Sequence, residues 1–130
     1  MTKININPWQ WQDNFGYAQA VEVKSNTGTL YCSGQAAMDA NGKPIGGNMS
    51  EQIKLSLENL QKVIKHANYH PSNIVRLNFY TTSVPAFFEA YGTVVGWMKQ
   101  NECTPSSTLV QVSALAFPEL NIEIEATVVQ

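Results

Sequence analysis

Apolar and polar residues alternate with period two from Leu120 to Val129, the pattern of a β-strand with one buried face. Ile122, Ile124, Ala126 and Val128 fall on one side, and Asn121, Glu123, Glu125 and Thr127 on the other. Upstream, Tyr17–Lys24 and Thr29–Gln35 read as strands, with Ser25-Asn-Thr-Gly28 as the turn between them, so a β-hairpin is expected there. Asp39–Gly47 reads as loop. Asn48, with Glu51 three residues on, has the form of a capping box. Behind it Ile53, Leu57, Leu60, Val63, Ile64 and Ala67 recur at helical spacing to about Asn68. His70-Pro71-Ser72 breaks the chain, and Val75, Leu77 and Phe79 then alternate with Arg76, Asn78 and Tyr80 in a further strand. Pro85 stands near the start of a second helix, with Phe88, Tyr91, Val94, Val95 and Met98 as its apolar stripe. Pro105 ends the next loop, and Thr108–Ala114 and Leu120–Val129 are the closing strands. The order ββ-α-β-α-ββ predicts an α+β chain: a mixed β-sheet with two helices packed on one face.

Composition narrows the class. At 130 residues, 44% of them hydrophobic, the chain is expected to form one domain, 1–130, with a real core. The net charge is −2, with seven Lys scattered along the chain and one Arg, Arg76. A phosphate-binding surface needs clustered cations, so the balance disfavours nucleic acid. Met1–Gln12 holds no apolar run and no stretch is long enough to span a membrane, so neither a secretion signal nor a membrane partner is expected. Cys32 and Cys103 form no paired motif and read as small, buried, reduced thiols, which fits a cytoplasmic protein.

Few residues carry chemistry. In a chain only 14% charged, Glu123 and Glu125 on one strand face stand out. A carboxylate on a rigid strand can orient a water or move a proton, although the same pattern also fits two solvated side chains. His66 and His70 are four apart, but Pro71 follows and no third ligand is near, so no metal site is indicated. Gly42, Gly46 and Gly47 lack the Lys and Ser/Thr of a phosphate loop. Ser33 sits in Cys-Ser-Gly-Gln rather than in a nucleophile elbow. Trp9, Trp11 and Trp97 read as packing or interface residues.

Five segments in register carry a resemblance. Phe15-Gly-Tyr-Ala-Gln19, Tyr31-Cys-Ser-Gly-Gln35, Leu57-Glu-Asn-Leu60, Pro105-Ser-Ser-Thr-Leu109 and Ile122-Glu-Ile-Glu-Ala126 together resemble the Rid, or YjgF-type, family. Its best-known members are reactive enamine/imine deaminases. The resemblance implies a chorismate-mutase-like subunit, assembly as a homotrimer, small-molecule clefts between subunits, and no cofactor. It implies further that Tyr17 lines the cleft, that Ser33 and Gly34 contact the ligand, that Glu123 positions the attacking water, and that the backbone at Leu109 helps bind ligand and water. One extra residue near Ala116-Phe117 alters the turn before the last strand.

The departure from the family is at Ser107. The imine deaminases carry Pro-x-Arg-Ser, whose arginine grips a substrate carboxylate, where this chain has Pro105-Ser-Ser-Thr108. A hydroxyl cannot imitate a bidentate fork. Arg76 lies at a position outside the family's cleft and is expected at a surface or interface. The resemblance therefore implies either a hydrolase with a shifted substrate, bound by Ser107 and Thr108 and hydrolysed with water held by Glu123, or a non-catalytic binding or regulatory trimer. A ribonuclease or translation-inhibitor role, also attached to the family, fits the acidic balance least.

Overall fold

The computed structural model describes all residues, 1–130. Six strands and three helices run in the order β1 (Thr2–Ile6), β2 (Ala20–Lys24), β3 (Thr29–Ala36), α1 (Met49–His66), β4 (Ile74–Thr81), α2 (Val84–Glu89), α3 (Tyr91–Gln100), β5 (Ser106–Gln111) and β6 (Ile122–Val129). The main sheet has the order β3-β6-β4-β5. It is mixed: β6 runs antiparallel to β3 and β4, while β5 lies parallel to β4. The helices between β4 and β5 make the crossover that a parallel pair requires.

All helices cover one face of this sheet, as the α+β pattern predicts. Ile53, Leu57, Leu60 and Ile64 of α1 meet Ile122, Ile124, Ala126 and Val128 of β6 in one core, joined by Leu77, Phe79, Phe87, Val94 and Met98. The capping box forms as expected: the Asn48 side chain accepts from the Glu51 amide at 2.9 Å, and the Glu51 carboxylate accepts from the Asn48 amide at 3.1 Å. Two orphan helix donors are thereby satisfied, so α1 begins at Met49. Cys32 and Cys103 are buried and unbridged, and burial pushes the Cys103 thiol up to about 11.

Several details differ from the sequence reading. β2 does not pair with β3. It pairs with β1, Ile4 opposite Glu22, in a separate two-stranded ribbon, while β3 pairs with β6. The turn at Ser25–Gly28 is real in composition, but its strands diverge to different partners, which local pattern cannot reveal. β1 is absent from the sequence reading: its alternation, Lys3-Ile4-Asn5-Ile6, is short, and all five strand residues are exposed. The second helix is two helices, broken at Ala90. Phe87, in helical spacing with Tyr91, Val94 and Met98, enters the core, and Phe88 is 49% exposed. β5 starts two residues earlier than expected and stops at Gln111. A bulge between Ile74 and Arg76 leaves Val75 only half-buried. No helix is long and apolar enough to cross a membrane.

Candidate functional site

Ser107 and Leu109 lie on β5, an edge strand. Their parallel partners are Leu77 and Phe79, both buried against the helices. Ser107 and Leu109 therefore face the helix side of the sheet, while Ser106, Thr108 and Val110 face the open side. The segment around Phe15-Gly16-Tyr17 docks over this end of β5. The Ala18 amide donates to the Pro105 carbonyl at 2.8 Å, and Ala18 bridges Ser106. The Tyr91 hydroxyl donates to the Phe15 carbonyl at 2.6 Å. Gly16 has φ +82°, and a Cβ there would stand 2.8 Å from Met98 Cε, so this turn requires glycine.

These elements enclose a cavity of about 210 Å3 lined by Trp11, Phe15, Tyr17, Phe79, Phe87, Phe88, Tyr91, Leu109 and Ser107. No charged side chain lines it, and the one non-aromatic polar group is the Ser107 hydroxyl. Burial, reinforced by Tyr17 nearby, pushes the Tyr91 phenol up to about 12, so it stays a neutral donor.

Ser33, Gly34 and Glu123 gather elsewhere. The β3–β6 register shifts between Cys32 and Gln35, so Ser33 and Gly34 bulge out of the ladder beside Glu123. A Cβ on Gly34 would stand 2.2 Å from Glu123 Oε1. Two side-chain amides hold this corner, Gln52 buried and Asn59 half-buried. Asn59 Nδ2 donates to the carbonyls of Ala36 and Met38, each at 3.0 Å. Gln52 donates to the Gly47 and Glu119 carbonyls and accepts from the Asn121 amide at 2.8 Å.

Glu125, two residues on, is occupied. The Tyr80 hydroxyl donates to its Oε1 at 2.6 Å and Asn78 Nδ2 at 3.0 Å. These bonds, the one from Tyr80 first, hold its carboxyl below the usual value. On the same face Arg76 Nη2 donates to Thr108 Oγ1 at 2.7 Å.

The structure thus divides the residues named from the sequence. Tyr17, Ser107 and Leu109 share the aromatic cavity on the helix side. Glu123 stands opposite Tyr80 on the open face, with Ser33 and Gly34 beside it. Thr108 joins Arg76 on that open face, away from the cavity. Within one chain a small molecule cannot touch both Ser107 and Glu123. Of the cavity's aromatic walls the sequence reading names only Tyr17 as a cleft residue; it places Phe88 and Tyr91 in a helix stripe, Phe79 in a strand and Trp11 at a packing or interface position. The signal it leaves unused is the density of rings in Phe15–Tyr17 and Phe87–Tyr91.

The family model described as Endoribonuclease L-PSP matches residues 12–130. The 2-iminobutanoate/2-iminopropanoate deaminase of Rattus norvegicus is 36% identical over 117 residues, covering 88% of this chain and 80% of that protein. The mitochondrial protein mmf1 of Schizosaccharomyces pombe is 32% identical over 124 residues, covering 95% of this chain and 74% of that protein. Among solved structures, a Yersinia pestis protein of the conserved Rid family superposes with TM-score 0.89 at 35% identity over the whole of both chains.

Proposed function

The chain belongs to the endoribonuclease L-PSP (Rid, YjgF-type) family, and from that premise we propose that it is an imine- or enamine-hydrolysing deaminase whose substrate carries no carboxylate. One observation carries this reading. The cavity at Ser107 is walled by aromatic rings without a cation, while the chain's one guanidinium, Arg76, is bonded to Thr108 on the opposite face. A carboxylate entering that cavity would lose its water and find no cation among the residues that line it, at a cost of several kcal/mol.

The chemistry needs little machinery. An enamine takes a proton at carbon and becomes an iminium. Glu123 orients a water and accepts its proton as the oxygen bonds to the imine carbon. The nitrogen takes up a proton, the carbon–nitrogen bond breaks, and the products are a carbonyl compound and ammonia. Ser33 and the backbone at Gly34 hold the reacting end, and Tyr17, Ser107 and the backbone at Leu109 hold the rest.

The site is completed between copies. Glu123 and Ser107 face opposite sides of one sheet, so one substrate reaches both only where the open face of one subunit meets the cavity end of another. We assign three copies, with the ligand at each junction. Light scattering should give about three times the 14.4 kDa chain mass, and a monomer at micromolar concentration would sink the shared site. We place the protein in the cytoplasm, on its two free buried thiols, although the S. pombe relative is mitochondrial by name. The net charge of −2 argues against RNA as substrate.

The test generates imines in place. An amine oxidase supplies a neutral imine, an amino-acid oxidase a 2-imino acid, and the decay of each is followed with and without the protein. The neutral imine should decay faster with the wild type, and Glu123→Gln should slow that reaction by about 100-fold or more. Faster decay of the 2-imino acid than of the neutral imine would overturn the substrate assignment. If neither decays faster, the cleft binds without turnover and the regulatory reading stands in its place.

A further inference from the structure

We propose that this cavity grips its ligand by an aromatic ring, so that the substrate is an aryl-bearing neutral imine or enamine, with ring contacts doing what the carboxylate grip does in arginine-bearing relatives. This rests on the reading above of the cavity as the substrate side of the cleft.

The walls have the geometry of a ring-binding site. The Phe15 centroid lies 6.4 Å from Tyr17, 6.4 Å from Phe88 and 5.9 Å from Tyr91, with interplanar angles of 43°, 69° and 60°. Phe88 lies 6.0 Å from Tyr91 at 54°. None of these rings stacks face to face on another. A flat guest among them therefore meets both faces and edges, the offset and T-shaped contacts aromatic rings prefer at roughly 4.5–7 Å. Size agrees. A dry cavity of about 150 Å3 accommodates benzene, and this one, at about 210 Å3, has room for a ring and a short substituent.

Polarity and exposure point the same way. The Tyr91 hydroxyl is already committed to the Phe15 carbonyl, which leaves the Ser107 and Tyr17 hydroxyls for a polar substituent. Trp11 is 61% exposed and Phe88 49% at the rim, an apolar surface with no cover inside the chain. A guest ring seated at the junction would share that apolar rim with the neighbouring subunit. The reaction itself is unchanged: water adds to the imine carbon, the carbon–nitrogen bond breaks, and an aryl aldehyde or ketone leaves with ammonia.

The experiment reads binding apart from turnover. The whole protein is titrated calorimetrically with benzyl alcohol, cyclohexylmethanol, phenylacetate and tetramethylammonium. Benzyl alcohol should bind about tenfold tighter than its saturated counterpart, the size of one or two ring–ring contacts. Phenylacetate should bind more weakly than benzyl alcohol, and Phe88→Ala should weaken benzyl alcohol by about tenfold, with the melting temperature reading separately what the ring's own packing contributes. Equal binding of the saturated and aromatic alcohols, tightest binding of tetramethylammonium through cation–π contacts, or an unaffected Phe88→Ala would each overturn the proposal. Ring-selective binding without imine hydrolysis would sink the deaminase reading and leave the ring site. Hydrolysis of small aliphatic imines without ring selectivity would do the reverse.

Discussion

The Glu123 carboxylate lies against the Cα of Gly34, closely enough that a Cβ there would stand 2.2 Å from Oε1 and 2.7 Å from Cγ. Glycine at 34 is thus a matter of close approach: the absent side chain is the space the carboxylate occupies. Because Glu123 can rotate away, adding a methyl should disturb the carboxylate more than the fold. Gly34→Ala should cost no more than about 1 kcal/mol of stability while lowering neutral-imine hydrolysis by at least about tenfold. Denaturant unfolding and imine decay measured on one preparation check both halves. Full activity would show that the position of Glu123 over Gly34 does not matter to the chemistry.

Ser107→Arg places a guanidinium at the aromatic cavity. A paired carboxylate contact of this kind is worth about 2–5 kcal/mol, roughly 30-fold to several thousand in rate. The variant should therefore gain 2-imino acid hydrolysis and lose affinity for benzyl alcohol. Oxidase-coupled assays and titration read the two changes, and no gain on 2-imino acids would mean the cavity cannot present the fork.

Glu125 gives a prediction with a sign. Hydrogen bonds from Tyr80 and then Asn78 hold its carboxyl below the ordinary 4.5. A carboxyl lowered by folding stabilises the fold above its unfolded value, and that contribution drains away as pH falls through the folded value. Glu125→Gln should be less stable than wild type by about 1 kcal/mol at neutral pH, after discounting for solvent screening. The gap should close as pH drops below 4.5. Melting curves between neutral and strongly acidic pH would show the convergence, and a constant gap would contradict it.

Tyr91 predicts the opposite flank. Its phenol is raised from 10.0 to about 12 by burial. A group raised by folding contributes stability that is intact below its unfolded value and is lost as pH climbs toward the folded one. Tyr91→Phe should lose about 1 kcal/mol at pH 7 with the bond to the Phe15 carbonyl. It should also shed part of the alkaline destabilisation between pH 10.0 and about 12. Urea unfolding of both proteins at neutral and alkaline pH is the check.

Gln52→Leu should be costlier than either. It removes the partner of the Gly47 and Glu119 carbonyls and of the Asn121 amide, three hydrogen bonds at about 1 kcal/mol each. It also loosens the entry to β6 ahead of Glu123, so imine hydrolysis should fall with stability. A variant as stable as wild type would show that ordered water replaces the amide.

The sequence by itself determined the elements whose one face is buried. β6, β4 and α1 were legible because water repels Ile122, Ile124, Leu57 and Leu60 alike, and the period of that repulsion reports strand or helix. The capping box was legible because its bonds are local. The five segments also made Tyr17, Gly34, Ser107 and Glu123 candidate site residues, with Ser107 where the resemblance leads one to expect an arginine. Tertiary structure decided the pairing of β2 with β1, since hydrogen-bonding partners are chosen by register across the sheet and not by the turn between neighbours. It decided which of two adjacent phenylalanines enters the core, because Phe87 and Phe88 both stand at helical spacing from Tyr91 and only packing against the sheet chooses between them. It also decided that Ser107 and Glu123 stand on opposite faces of one sheet. Strand alternation fixes which residues share a face within a strand, but only the assembled sheet fixes how the face of β5 relates to that of β6.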